Sequence, residues 1–299
     1  MSEANIPILM QLAGRQADRV ILYGTGGVGK SHAIATLLKN IDPNRRIIVL
    51  MTDPNSVPGL VSGLQALGIE PEPGQVIYSL PPKDKKAFGN FKRSIKGYQT
   101  QSKAISDSKN KNQDTGSNKE QYTYLEDIIT QLDFFTGYDL ATNEVVKVGC
   151  LLDLDIDDHL VIDGLSPITQ EVWGAVRGDK VDIGQTDFMP AQKVVGDLFA
   201  CFRKLQCHLL VLAHDTTLTD REGTILETRV DLGVGSKKYS SFMGAMTEVI
   251  YATKIGKNFI WVTNKDKVST VVRKMPSGTN LVPDFSLYNL FGNVGTYDK

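Results

Sequence analysis

Residues 24–31 read Gly24-Thr25-Gly26-Gly27-Val28-Gly29-Lys30-Ser31. Four glycines within eight residues let a backbone wrap tightly enough for successive N–H groups to converge on one anion. The ammonium of Lys30 and the hydroxyl of Ser31 follow directly; these groups reach terminal phosphates and ligate a divalent cation. The spacing Gly-x-x-x-x-Gly-Lys-Ser is specific for phosphate only between a strand and a helix. Both flanks are present: residues 19–23 are a short apolar run, and residues 30–39 predict a helix with Ile34, Leu37 and Leu38 on one side. The positive end of that helix would add to the same anion site. A glycine-rich turn without a ligand is the competing reading, and it does not explain the flanks.

A cation bound there needs an acid. Residues 159–163, His-Leu-Val-Ile-Asp, end in Asp163, placed to hold a metal through water at the end of a buried strand. Asp163 also precedes Gly164-Leu165-Ser166, so a helix cap is the alternative. The acids Asp153, Asp155, Asp157 and Asp158 lack the glycine and terminal glutamate of a calcium loop and predict a solvated turn. To orient an attacking water, Asp53 at the end of the run 46–51 is one candidate and Glu171 the rival; Asp53 otherwise caps the turn into Pro54. His214, after the run 208–213, either senses the terminal phosphate or makes a structural hydrogen bond, and His208 reads as structural.

These residues need a scaffold. Four continuous, non-alternating apolar runs (19–23, 46–51, 159–163 and 208–213) separated by helical stretches predict a mostly parallel sheet covered on both faces, an α/β class. Residues 190–206 predict an amphipathic helix with Val194, Val195, Leu198, Phe199 and Phe202 on its apolar side. Beyond residue 245, the segments Thr247–Ala252, Asn258–Thr263 and Val268–Lys274 predict antiparallel strands joined by tight turns. Residues 1–299 read as one domain carrying a polar, basic, mobile insertion at 83–121, too poor in apolar residues to offset its ordering entropy.

The chain has 299 residues, 41% hydrophobic and 22% charged, with a formal net charge of -1. That charge excludes bulk attraction to nucleic acid and leaves only a local basic patch. Cys150, Cys201 and Cys207 have no metal-ligand spacing, which fits a reduced cytoplasm. No basic segment with a following apolar run opens the sequence, and no apolar stretch reaches membrane-spanning length, so a cytoplasmic protein with no membrane partner is expected.

The order of parts resembles the RecA-like P-loop ATPases: a glycine loop (Walker A), an acid after strand two, Leu-Val-Ile-Asp-Gly-Leu-Ser as Walker B, a helix, then a strand ending in Ala-His-Asp. Within them it is most similar to small phage-type proteins labelled AAA-family or nucleotide-binding, some of which anneal single strands; for such a protein the compartment is the host cytoplasm. The resemblance implies a RecA-like core with C-terminal antiparallel strands. It implies ATP held by residues 24–31, and Mg²⁺ held by Ser31 and Asp163. It also implies a homo-oligomer, ring or filament, with ATP between subunits and cations of one subunit reaching its neighbour's phosphates. Arg273 and Lys274, within 271–278, are candidate fingers, with Lys237 and Lys238 as a second pair; a solvated basic hairpin is the alternative for both. Two departures stand out: the family usually has a glutamate where Asp53 sits, and it does not account for the 83–121 insertion.

That insertion carries Lys83, Lys85, Lys86, Lys92, Arg93, Lys96, Lys103, Lys109 and Lys111, with Phe88, Phe91 and Tyr98 between them. Cations for phosphates and rings for bases suit a single-stranded DNA contact; a solvated loop is the alternative. The loop between Gly174 and Asp187 is another candidate surface. Three function classes follow: a DNA-dependent ATPase of recombination, annealing or replication; a translocation or packaging motor; and a nucleotide-dependent assembly switch without DNA. A kinase is disfavoured because no acceptor lid with an arginine cluster is evident.

Overall fold

Apolar runs that do not alternate become strands buried on both faces. In the computed structural model these are β1 (Arg19–Tyr23), β2 (Ile47–Met51), β6 (His159–Asp163) and β7 (His208–Ala213), buried along their whole length apart from Arg19. The structure describes residues 17–38, 45–53, 56–80, 123–177, 185–233, 236–263, 265–271, 273, 278–281, 287 and 291. The remaining strands are β3 (Val76–Tyr78), β4 (Phe135–Asp139), β5 (Val145–Gly149), β8 (Asp215–Thr219), β9 (Ile225–Val230), β10 (Glu248–Ile255), β11 (Asn258–Val262) and β12 (Thr279–Leu281). Ten of them form one sheet in the order β12-β11-β10-β1-β7-β6-β2-β3-β4-β5, and β8 and β9 pair apart from it. The strands from β10 through β3 are mutually parallel, and an antiparallel pair extends each side. The α/β class with a mostly parallel sheet is therefore present.

Helices α1 (Lys30–Ile34), with a 3₁₀ turn at Ala35–Leu38, and α2 (Ser56–Leu67) cover one face over Val20, Leu22, Val49, Val161 and Leu210. Helices α3 (Thr123–Asp133), α4 (Leu165–Arg177), α5 (Gln185–Lys204) and α6 (Ser236–Met243) cover the other, over Ile21, Leu50, Leu160, Ile162 and Val211. Successive residues of a strand point to opposite faces, so a two-sided core demands an apolar residue at every position.

Several expectations need correction. The helix after the glycine loop is α-helical only to Ile34 and then tightens, with the Thr36 hydroxyl donating to the Ala33 carbonyl at 2.7 Å. Helix α5 starts earlier than 190 and contains Pro190; Val195, Phe199 and Phe202 are buried, but Val194 is exposed. Glu248–Ile255 pairs antiparallel with β11 but parallel with β1, so it belongs to the central sheet. The segment Val268–Lys274 is not a strand in its described residues: Val268 and Val271 make only isolated bridges, to Thr228 and Val249, and β12 pairs with β11 instead. The acidic turn is not merely solvated, because Asp158 is buried and takes a bidentate pair of 2.9 Å bonds from Arg46. Its neighbours stay in the turn, and no cluster of three or more metal-ligating His, Cys, Asp or Glu occurs among the described residues. The insertion 83–121 lies outside the described residues.

At the start of β6 and β7, His159 and His208 face each other across the ladder, their rings stacked at 5.0 Å and both edged by Phe291. His208 is structural, as expected: its Nδ1 accepts the Asp18 N–H at 3.1 Å. Burial, then the neighbouring His208, then Arg45 push His159 down to about 3. The unfolded chain takes up this proton near pH 6.5 and the folded chain does not, so stability falls as pH drops from about 6.5 towards 3. The cost reaches about 1.4 kcal/mol per pH unit. Urea unfolding at pH 7 and pH 5 should show the wild type losing roughly 2 kcal/mol more than His159→Asn over that interval.

Candidate functional site

The C-terminal ends of β1, β2, β6 and β7 share one edge of the sheet, where an open α/β sheet places its crevice. The glycine loop begins there. Gly24 donates to the Ala213 carbonyl at 3.2 Å, and a Cβ on Gly24 would lie 2.1 Å from the Ala252 carbonyl oxygen, so only glycine passes between β7 and β10. Gly27 and Gly29 have φ of 76° and 79°, left-handed values that turn the loop around its own centre. Gly29 then caps α1. Since α1 holds five α-helical residues before it tightens, an anion here would be held by loop amides rather than by a long helix dipole.

Lys30 Nζ folds back over the loop and donates to the carbonyls of Gly24 and Thr25, both at 2.7 Å. Burial lowers its pKa, opposed by the charges of Asp215, Asp163 and Asp53. Asp163 is 4% exposed. Burial pushes its carboxyl up to about 6, against hydrogen bonds from the hydroxyls of Ser31 and Ser56. Its Oδ2 is nonetheless buried with no hydrogen-bond partner. A buried carboxylate oxygen without a donor is costly unless a cation satisfies it. Serine hydroxyl and carboxylate are the hard oxygen donors Mg²⁺ takes, in a site that leaves further positions to water and phosphate. The residues present fit that ion.

Asp163 is not next to the loop strand: β7 lies between β1 and β6, so the acid reaches the cleft across Ala213 and His214. Thr52 closes the seam between β2 and β6, its N–H and its hydroxyl both donating to the Asp163 carbonyl at 3.0 Å. A cleft of about 560 Å³ results, walled by Gly26, Gly27, Gly29, Lys30, Ser31, His32, Asp53, Ser56, Asp163, His214 and Phe259. Asp53 and His214 thus share the cleft with Lys30; the His214 backbone N–H donates to Ser166 Oγ at 2.9 Å.

Helix α2 positions Ser31 from behind. A Cβ on Gly59 would fall 2.7 Å from Ser31 Cβ, and one on Gly63 would fall 2.6 Å from the His32 carbonyl oxygen. Each glycine inside a helix costs about 1 kcal/mol relative to alanine, so their presence reflects close approach of α2 to α1. Gly59→Ala should displace Ser31 and weaken Mg²⁺-dependent triphosphate binding about tenfold. Titration with and without Mg²⁺ checks this; equal affinity in the variant would show that Ser31 is not held by α2.

Not every expected residue comes to the cleft. Glu171 lies half-buried on α4 and is not among the residues that wall it, whereas Asp53 is. Arg273 donates its N–H to Glu248 Oε1 at 3.0 Å, and Glu248 pairs with Val20 at the opposite end of β1. Three residues of strand, roughly 10 Å, separate that level from the loop, and Arg273 is not among the residues that wall the cleft. Lys238 is exposed on α6; Lys274 and the Lys237 side chain lie outside the described residues. Residues that the sequence reading missed are Ser56, Gly59, Asp215 and Phe259. Ser56 had a local signal, three residues beyond Asp53, and Gly59 with Gly63 is an i, i+4 pair; Asp215 stood in the sequence only as the end of Ala-His-Asp, and Phe259 only as part of an expected strand.

No described helix is long and apolar enough to cross a membrane. The sequence matches no protein-family profile and no curated protein. Among solved structures, the crystal structure of the RadB recombinase is similar over 90% of this chain and 89% of that one, at 13% identity and a TM-score of 0.41. A likeness of that size carries no conclusion about chemistry.

Proposed function

We propose that this chain is a RecA-like, Mg²⁺-dependent P-loop ATPase that works on single-stranded DNA as a homo-oligomer. The observation that carries the reading is the convergence of Lys30 Nζ and the unpartnered, buried Asp163 Oδ2 on one cleft behind a glycine loop. Loop amides and Lys30 hold the β- and γ-phosphates. Ser31 and Asp163 hold Mg²⁺, which when bound neutralises charge developing on the phosphoryl oxygens. Asp53 orients the attacking water, and His214 meets the terminal phosphate from the end of β7.

Among the described residues that wall the cleft, Lys30 is the one lysine or arginine. Phosphoryl transfer gains roughly 10³-fold or more from a second fixed cation, which favours completion by a neighbouring copy. Arg273 and Lys274 are the proposed donors, acting on the adjacent subunit. The basic, aromatic stretch 83–121 supports single-stranded DNA as the partner. ATP turnover per subunit should rise with protein concentration and rise again with single-stranded DNA. Concentration-independent turnover removes the finger in trans, and indifference to DNA favours an assembly switch. Directional movement on duplex would favour a translocation motor instead.

A further inference from the structure

Besides Lys30, Asp163 and His214, the cleft is walled by two rings, His32 and Phe259. Phe259 comes from β11, which lies between β10 and β12 in the sheet, so it reaches the loop from outside the parallel core. Its ring abuts the loop: a Cβ on Gly29 would stand 3.1 Å from Phe259 Cε1. It lies close to parallel with the His32 imidazole, at 26° and 6.3 Å between centroids, and Lys254 Nζ sits 5.4 Å from its centroid. The ring is half-buried rather than sunk in the core, in a cleft otherwise walled largely by glycine, hydroxyl and charged groups.

We infer that the His32–Phe259 pair is the stacking platform for the nucleotide base, with the triphosphate running from it over the loop to Asp163. The inference rests on the triphosphate reading of the cleft. A planar aromatic surface beside a polar cleft is stabilised when another planar ring covers it, and stacking accepts any base because every base has a π-face. Purines cover more of the platform than pyrimidines. The site therefore selects ring size, and the platform itself does not separate adenine from guanine.

The test compares two ligands, Mg·ATP and magnesium with inorganic tripolyphosphate, which has the phosphates and no base. Each is titrated by calorimetry into wild type, Phe259→Leu and Phe259→Trp. Leucine keeps apolar bulk against Gly29 and removes the π-face. Phe259→Leu should weaken ATP about tenfold or more while leaving tripolyphosphate within twofold, and Phe259→Trp should restore ATP binding. Equal weakening of both ligands, or of neither, overturns the platform and leaves Phe259 as support for the loop. If wild type takes up neither ligand, the triphosphate reading itself falls, an outcome distinct from failure of the platform alone.

Discussion

Lys30→Ala should lower ATP turnover by on the order of 10²-fold or more while leaving the fold intact. The ammonium is anchored by the Gly24 and Thr25 carbonyls and stands within the field of Asp163, Asp53 and Asp215. Its positive charge is already partly desolvated, because burial lowers its pKa. A desolvated, preorganised cation interacts more strongly with developing phosphate charge than one in bulk water. Removing it takes away charge without touching a packed apolar residue, so thermal unfolding in the absence of nucleotide should change little. Steady-state turnover together with a melting curve checks both halves. A variant that hydrolyses ATP at the wild-type rate would show that Lys30 does not contact the phosphates.

Asp163→Asn should have an equally large kinetic effect and an unusual effect on stability. Loss of a carboxylate that holds Mg²⁺ should cost several kcal/mol of transition-state stabilisation, on the order of 10²- to 10³-fold in rate. The ligand-free protein should nevertheless be more stable than wild type at pH 7.5. Burial raises the Asp163 carboxyl to about 6, above its unfolded value. Its favourable contribution is thus fully present below about pH 4 and is lost as pH rises through 6. Holding it ionised costs roughly 3 kcal/mol at neutral pH, and asparagine avoids that cost while its Oδ1 still accepts from Ser31 and Ser56. The stability advantage of the variant should appear above about pH 4 and level off above pH 6. Urea unfolding without nucleotide or Mg²⁺ across that range measures it. A variant less stable than wild type at pH 7.5 would mean that Oδ2 has a partner in solution other than a metal.

The balance between stability and chemistry at Asp163 shows which parts of the site were legible in the residues alone. The glycine loop, Lys30 and Ser31 were visible because local covalent spacing sets them: a strand, a tight turn and a helix start cannot be far apart; Asp163 was visible because it ends a continuous apolar run. Continuous apolar runs likewise exposed β1, β2, β6 and β7, since burial on both faces leaves no alternation to mask them. The strands β4, β5, β8 and β9 were missed because they carry exposed positions and mixed residues such as Thr136, Lys147, Thr217 and Glu227, whose pairing is decided by distant partners. Residues 268–274 have the β-branched look of a strand, yet Tyr23 holds this segment from below by donating its hydroxyl to the Ser269 carbonyl at 2.6 Å. Helix α5 was found, but its register was blurred at Val194, which is 42% exposed beside the apolar groove of α3 and α5. Phe259 illustrates the limit most clearly. The hairpin that pairs Lys254 with Phe259 was expected from its tight turn, but no local spacing announces that the Phe259 ring lies against Gly29, far away in sequence.

Direct uptake of nucleotide is the decisive measurement. Calorimetric titration of the wild-type chain with ATP in the presence of Mg²⁺ should give saturable binding at one site per chain, weakened when the metal is chelated. An absence of heat and of saturation at millimolar ATP would contradict the central claim, leaving the parallel sheet and its glycine loop as scaffold without the proposed ligand.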